Sequence, residues 1–232
     1  MEEFKFASKR FLLIVFAYIF VGITFGLLMK EAGYGSIWSL LSSVMIYGGS
    51  MQFVLIGLLR EHAPIYSIAL VSLFINSRYM FYGLTYIDEF KEIRKQSFFK
   101  FLYLSFTLTD EVYSLYTTAE FPKKMDKIKI MMWISSLAYG TWILSSVVGS
   151  FAFDLINFNL IGLDFIITEF FGLIVISQLI NNKSYIPTTV GITCSVLAFF
   201  AVGKNFILLA IVFSMACLMI LKNKLNKGDI NG

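Results

Sequence analysis

Three groups of polar residues interrupt stretches that are otherwise apolar enough to cross a bilayer: Gly48-Gly49-Ser50-Met51-Gln52, Asn76-Ser77-Arg78-Tyr79 and Thr109-Asp110-Glu111. Their chemistry suits a carboxylate-bearing solute or a proton. Paired glycines loosen a helix, because glycine gives up the most conformational freedom on folding. The N–H groups so freed can hold a carboxylate as a helix N-terminus holds an anion, which makes Gly49 and Ser50 candidates. Gln52 adds an amide donor and acceptor, and Phe53 is placed to shape an apolar pocket. The guanidinium of Arg78, two residues from Asn76, can clamp a carboxylate in a bidentate fork or pair with Asp110 or Glu111. Those two carboxylates are adjacent, so a helix points them about 100° apart. One can face a cavity, to meet an ammonium or exchange a proton, while the other pairs with a cation. Glu169, five residues beyond Asp164, is a secondary proton site.

Each group also has a plainer reading. Gly and Ser let membrane helices approach closely. Arg78 stands about two turns before the loop that starts at Ile87, near enough to snorkel to the headgroups. A surface helix over 98–118 would turn both carboxylates to water. Against these stands the cost of a charge at the bilayer centre, about 2.5 kcal/mol or more, which confines such groups to cavities, partners and solute paths.

The elements that must carry these residues are transmembrane helices. Of 232 residues, 58% are hydrophobic and 15% charged, against roughly 25% charged in soluble domains. Eight apolar segments follow one another over 11–29, 36–59, 63–86, 98–118, 131–153, 160–180, 186–202 and 204–221. The three prolines, Pro64, Pro122 and Pro187, fall at or near segment starts, where a missing N–H costs least. The expected fold is therefore all-α: one polytopic membrane helix bundle over 1–232, with six to eight hydrophobic segments. Lys5, Lys9 and Arg10 precede the first apolar run as in a secretory signal, but the run continues to Met29 without a small-x-small cleavage site, so it reads as an uncleaved helix.

The net charge of +4 does not point to nucleic acid, because Lys and Arg gather in short loops rather than on a basic stripe. The N-terminus, the tail with Lys222, Lys224 and Lys227, and the loops with Lys91, Arg94, Lys95, Lys100 and with Lys123, Lys124, Lys127, Lys129 all carry the cytoplasmic signature. Eight plain crossings would put the two internal loops on opposite sides. Six crossings, with 36–59 and 98–118 broken or re-entrant, put both loops and both termini in the cytoplasm. These two segments hold two of the three polar groups, and irregular backbone at membrane depth is tolerated where it is buried or lines a cavity.

At these groups the chain resembles the AzlC family, the large subunit of bacterial branched-chain amino acid exporters. The resemblance runs through Gly22-Ile23-Thr24-Phe25-Gly26-Leu27, Gly49-Ser50-Met51-Gln52-Phe53, Asn76-Ser77-Arg78-Tyr79 with Tyr82-Gly83, and Thr109-Asp110-Glu111. Two departures stand out: Gly48-Gly49 where the family has Ala-Gly, and Tyr79 where it has His, which removes a titrating group. The resemblance implies export of branched-chain amino acids from the bacterial cytoplasm across the cell membrane, with a small membrane subunit of the AzlD type. The small residues Ser135, Ser136, Gly140, Ser145, Ser146 and Gly149 in 131–153 offer a face for that subunit. The proton gradient is the expected driving force.

Rival classes find less support. An exporter of another small solute would share the fold. An intramembrane enzyme needs an acid–base or nucleophile constellation, and adjacent carboxylates on one helix make a poor pair. A channel lacks its repeated filter motif, and a structural membrane subunit would not use the polar groups. No cofactor or metal is expected: Cys194 and Cys217 read as core residues, and His62 is the single histidine.

Overall fold

A computed structural model describes residues 2–155 apart from 13, 120 and 123, residue 172, residues 185–203, and scattered positions from 206 to 220. The described residues form α1 (Glu2–Phe11), α2 (Val15–Glu31), α3 (Ser36–Met45), α4 (Gly49–Arg60), α5 (Ile65–Thr85), α6 (Ile87–Gln96), α7 (Phe98–Phe106), α8 (Asp110–Thr118), α9 (Lys127–Leu155) and α10 (Ile186–Val202), with no strand among them. They divide into two units, residues 1–62 with 75–161, and residues 63–74 with 162–232. In the second, α10 keeps the predicted bounds and buries Cys194 and Ala198. Segment 160–180, with Glu169, and most of 204–221 lie outside the described residues.

By length and composition α9 can span a membrane, and α1 with α2 passes the same test as a pair bent by 64°. The helix expected over 11–29 runs over Val15–Glu31, with a separate helix before it. Residues 2–11 form their own helix, because Ala7 and Phe11 fall on one face and bury there, against α9. The 21 residues of α5 extend about 31 Å.

Within the first unit α9 is the hub, touching α1, α2, α3, α7 and α8. Its largest interface is with α2, and small residues make it possible. A methyl group on Gly26 would run into the backbone of Ser146 and Ser150, and one on Gly149 into the backbone of Ile23. The two helices run parallel in this seam, with Lys30 at the end of α2 ion-paired to Asp154 at the end of α9 at 2.9 Å. This corrects the expected partner face. Ser43 shares a 2.7 Å hydrogen bond with Ser146, Tyr116 one of 2.7 Å with Ser135, and Tyr103 one of 3.0 Å with Ser136. The small residues of α9 are spent inside this chain; of that set, Gly140 has open space beside it.

Segments 36–59 and 98–118 are both broken, at residues 46–48 and 107–109. The chain also turns back at each break. Arg60, ending α4, is ion-paired with Glu31, ending α2, so 36–60 returns to the end of the unit from which it set out. In the second hairpin, α7 starts beside α6, and α6 is tied to the start of α9 by Glu89–Lys127 at 2.8 Å. Its far limb returns to the same place, where the hydroxyl of Tyr116 donates to the Met131 carbonyl at 3.0 Å. The two hairpins therefore enter the unit from opposite ends. Both basic loops, around residues 91–100 and 124–129, lie at one end of the unit.

The α2–α9 seam predicts opposite results for two glycines. Gly26→Ala should lower stability by about 1–3 kcal/mol, since the atoms in its way are backbone. Gly57→Ala, on the exposed side of α4 with nothing within 4 Å, should be neutral or stabilising by up to about 1 kcal/mol. Thermal unfolding of the detergent-solubilised protein separates them; equal midpoints would mean the seam is not closely packed.

Candidate functional site

The tips of the two hairpins meet. At the first, Tyr47 takes a left-handed backbone angle, φ 42°, which costs a residue with a side chain about 1–3 kcal/mol. Its ring is held edge-on to Tyr139 at 4.8 Å and lies against Phe106 of the other hairpin at 6.0 Å. Tyr139 also donates its hydroxyl to the carbonyl of Val44 at 2.8 Å, one of the groups that the end of α3 leaves open. At the second tip, Thr107 hydrogen-bonds the carbonyl of Tyr103 at 2.8 Å, and Thr107, Leu108 and Thr109 are buried. The second break is thus enclosed in protein, and at the first Tyr47 and Gly48 are buried while Ile46 stays exposed.

Each tip begins a helix, α4 at Gly49 and α8 at Asp110, and one side chain reaches both starts. The side chain of Arg78, from α5, joins them. Its guanidinium donates to the hydroxyl of Ser50 and is ion-paired with Asp110 at 2.8 Å. Tyr82, one turn on, donates to the other Asp110 oxygen at 2.6 Å. The ring of Tyr79 lies under the guanidinium at 5.3 Å. A second tie runs through Tyr18 of α2, whose hydroxyl is 3.4 Å from that of Tyr47, 3.3 Å from Thr109 Oγ1 and 3.5 Å from Glu111 Oε2. Asp110 and Glu111 have indeed parted: one meets a cation, the other a phenol.

The electrostatics follow. Each helix N-terminus is equivalent to about half a positive charge, so two of them with Arg78 make a cationic centre, offset by Asp110 and Glu111. Two buried polar atoms here have no hydrogen-bond partner among the described residues, Asn76 Oδ1 and Arg78 Nε. A side-chain carbon on Gly48 would lie 3.6 Å from that Asn76 oxygen and 3.7 Å from the Tyr79 hydroxyl, so the first tip closes over this spot.

Of the residues predicted from sequence, Ser50, Asn76, Arg78, Asp110 and Glu111 come together, with Gly49 at the start of α4. Gly49 is also a contact surface, because a carbon on it would meet the Trp142 ring at 3.4 Å. Gln52 and Phe53 have other partners. The Gln52 amide donates to Ser42 at 3.0 Å and accepts from Trp142 at 2.9 Å, and it is fully buried. Phe53 is buried edge-on to Phe25 at 5.9 Å. Both anchor α4 to its neighbours. Sequence reasoning missed Tyr18, Tyr47, Tyr82 and Trp142, which are single aromatics in runs rich in them; only the Tyr82-Gly83 pairing beside Arg78 gave a signal. Glu169 lies outside the described residues.

Comparison with known proteins supplies an independent view. The AzlC protein family model matches residues 13–156, a range that contains both hairpins and every described site residue. The branched-chain amino acid transport protein AzlC of Bacillus subtilis is 30% identical over 229 residues, 98% of this chain and 89% of its own. An uncharacterized membrane protein of Helicobacter pylori is 30% identical over 97% of both chains. The inner membrane protein YgaZ of Escherichia coli is 28% identical over 64% of this chain and 60% of its own. No solved structure matches.

If Arg78 and Asp110 act as a unit, their losses should not add. Arg78→Gln and Asp110→Asn should each lower the thermal midpoint, and the double variant should do so by less than the sum, with a coupling of about 0.5–3 kcal/mol. Strictly additive losses in a double-mutant cycle would dissolve the bridge between the hairpins.

Proposed function

The chain belongs to the AzlC family, and we propose that it is the large subunit of an exporter of branched-chain and other small apolar amino acids. It acts in the bacterial cytoplasmic membrane, with both termini and both basic loops in the cytoplasm. A small membrane subunit of the AzlD type completes it, and the proton gradient drives it. The observation that carries this reading is the pair of unsatisfied buried atoms, Asn76 Oδ1 and Arg78 Nε, between the starts of α4 and α8. A buried polar atom without a partner costs about 1–3 kcal/mol. An α-amino acid supplies both missing partners: its carboxylate accepts from Arg78, and its ammonium donates to Asn76.

The roles follow from charge. The carboxylate binds at Arg78 with the free N–H groups of Gly49 and Ser50. The ammonium binds at Asn76 and Asp110, which the incoming carboxylate partly releases from the guanidinium. A zwitterion enters an existing ion pair without changing its net charge, so no uncompensated charge is created at low dielectric. Glu111, turned to Tyr18 rather than to Arg78, is the group that exchanges the coupling proton. In a membrane, 36–60 and 98–118 are re-entrant hairpins, and movement of one against the other exposes the site to either side. The relative from Bacillus subtilis, named for branched-chain amino acid transport, supports the substrate class.

The test is efflux from cells preloaded with labelled leucine, isoleucine or valine, with this chain and its small partner present or absent. Saturable efflux is expected, abolished in Asp110→Asn at unchanged membrane levels and slowed by a protonophore. No efflux from a properly inserted complex would assign the fold to another solute. Normal efflux by Asp110→Asn would end its role at the site.

A further inference from the structure

On the side of the first unit that carries the basic loops, a cavity of about 440 Å³ lies between α5, α6 and α7. It runs inward from Lys91 and Arg94 on α6, past Leu84, Gly83, Phe101 and Ser105, to Tyr79 and Leu108. The last two adjoin the site: Tyr79 is the ring beneath the Arg78 guanidinium, and Leu108 precedes the Thr109-Asp110 turn. Gly83 leaves its wall open, with nothing within 4 Å of where a side chain would begin.

The helix at its mouth is sorted by charge. α6 carries Asp88, Glu89, Lys91, Glu92, Arg94 and Lys95. Lys91 and Arg94, three residues apart, line this cavity, whereas Glu89 and Glu92, also three apart, line a separate groove of about 220 Å³ with Asp126 and Lys127. The basic side is held in place, with the Arg94 guanidinium 5.9 Å over the Phe101 ring and Lys91 paired to Asp88 at 3.4 Å. The walls beyond are apolar or aromatic, with Ser105 as a polar point.

We infer that this cavity is the cytoplasmic entry vestibule, through which an apolar amino acid passes from the Lys91–Arg94 mouth to Arg78. The inference rests on the proposed transport function and adds to it a route, an entry side and a recognition order. Arg94, with Lys91 beside its Asp88 partner, draws the carboxylate end first, by raising its local concentration. The apolar wall accepts a branched side chain and offers a hydroxylated or charged one few partners for its polar groups. The chain in this conformation is therefore open toward the cytoplasm, the loading state of an exporter.

The route is tested by placing Gly83→Cys or Ser105→Cys in the full chain, with Cys194 and Cys217 replaced by Ser and the small partner co-expressed. A charged, membrane-impermeant thiol reagent should label both positions several-fold faster in inside-out vesicles than in intact cells, and leucine should slow the labelling. In the chain with native cysteines, Lys91→Gln with Arg94→Gln should raise the KM of leucine efflux by about tenfold at low ionic strength and less at high salt, leaving the maximal rate unchanged. Labelling only by a lipid-soluble maleimide would make the cavity a lipid-facing groove and overturn the vestibule. Aqueous labelling that leucine does not slow would overturn it too, by taking the cavity off the solute route. Efflux by the parent chain, measured in the same cells, reports on the transport function separately.

Discussion

The guanidinium of Arg78 is the interaction on which the site depends. It spans the starts of two helices that belong to hairpins from opposite ends of the unit, touching Ser50 on one and Asp110 on the other. An arginine between two helix N-termini is electrostatically unfavourable by itself, since each end already carries about half a positive charge. Asp110 makes the arrangement viable, and Tyr82 fixes the orientation of that carboxylate with a 2.6 Å hydrogen bond. The site is thus a balanced cluster rather than a charge buried alone. That balance limits the cost of taking these charges out of water.

Around this cluster α9 acts as the frame. Glycines in α2 and serines and a glycine in α9 let the two helices approach until backbone meets backbone. Without a hydrophobic drive between helices in lipid, such close contact and interhelical hydrogen bonds hold the bundle together. Trp142 shows how frame and site connect. It bonds Gln52, lies beside Gly49 and packs edge-on to Tyr18 at 5.5 Å, so one side chain supports the first tip and the tyrosine that ties it to the second.

The broken helices have a physical reason in this setting. An unbroken helix through the middle of the unit would offer its neighbours only side chains. A break offers N–H groups and a dipole end at depth, provided every other freed group is satisfied or enclosed. Tyr139 on the Val44 carbonyl and Thr107 on the Tyr103 carbonyl meet part of that condition, and burial of Tyr47, Gly48 and residues 107–109 adds to it. The strained φ of Tyr47 belongs to the same economy: it turns the chain where no glycine stands, and aromatic packing on both hairpins holds it.

Membrane character, helical class and the polar groups were legible in the chain, because the cost of polar atoms in lipid makes exceptions to an apolar run conspicuous. Gly48-Gly49 and Thr109-Asp110 marked both breaks, and the positive loops raised the choice between plain crossings and hairpins. Tertiary structure decided what spacing along one helix cannot. The Arg60–Glu31 and Tyr116–Met131 contacts turn two segments back on themselves, over separations that no local pattern encodes. Packing also divided residues of similar type. Ser50 meets Arg78 while Gln52, two positions on, is consumed by Ser42 and Trp142, since a helix turns about 200° in two residues. Ser135, Ser145 and Ser146 read as a free face in sequence and are internal in the fold. A sequence states which groups are costly to leave unpaired in a membrane; only the folded chain chooses their partners, because the choice is made across distances that the order of residues does not express.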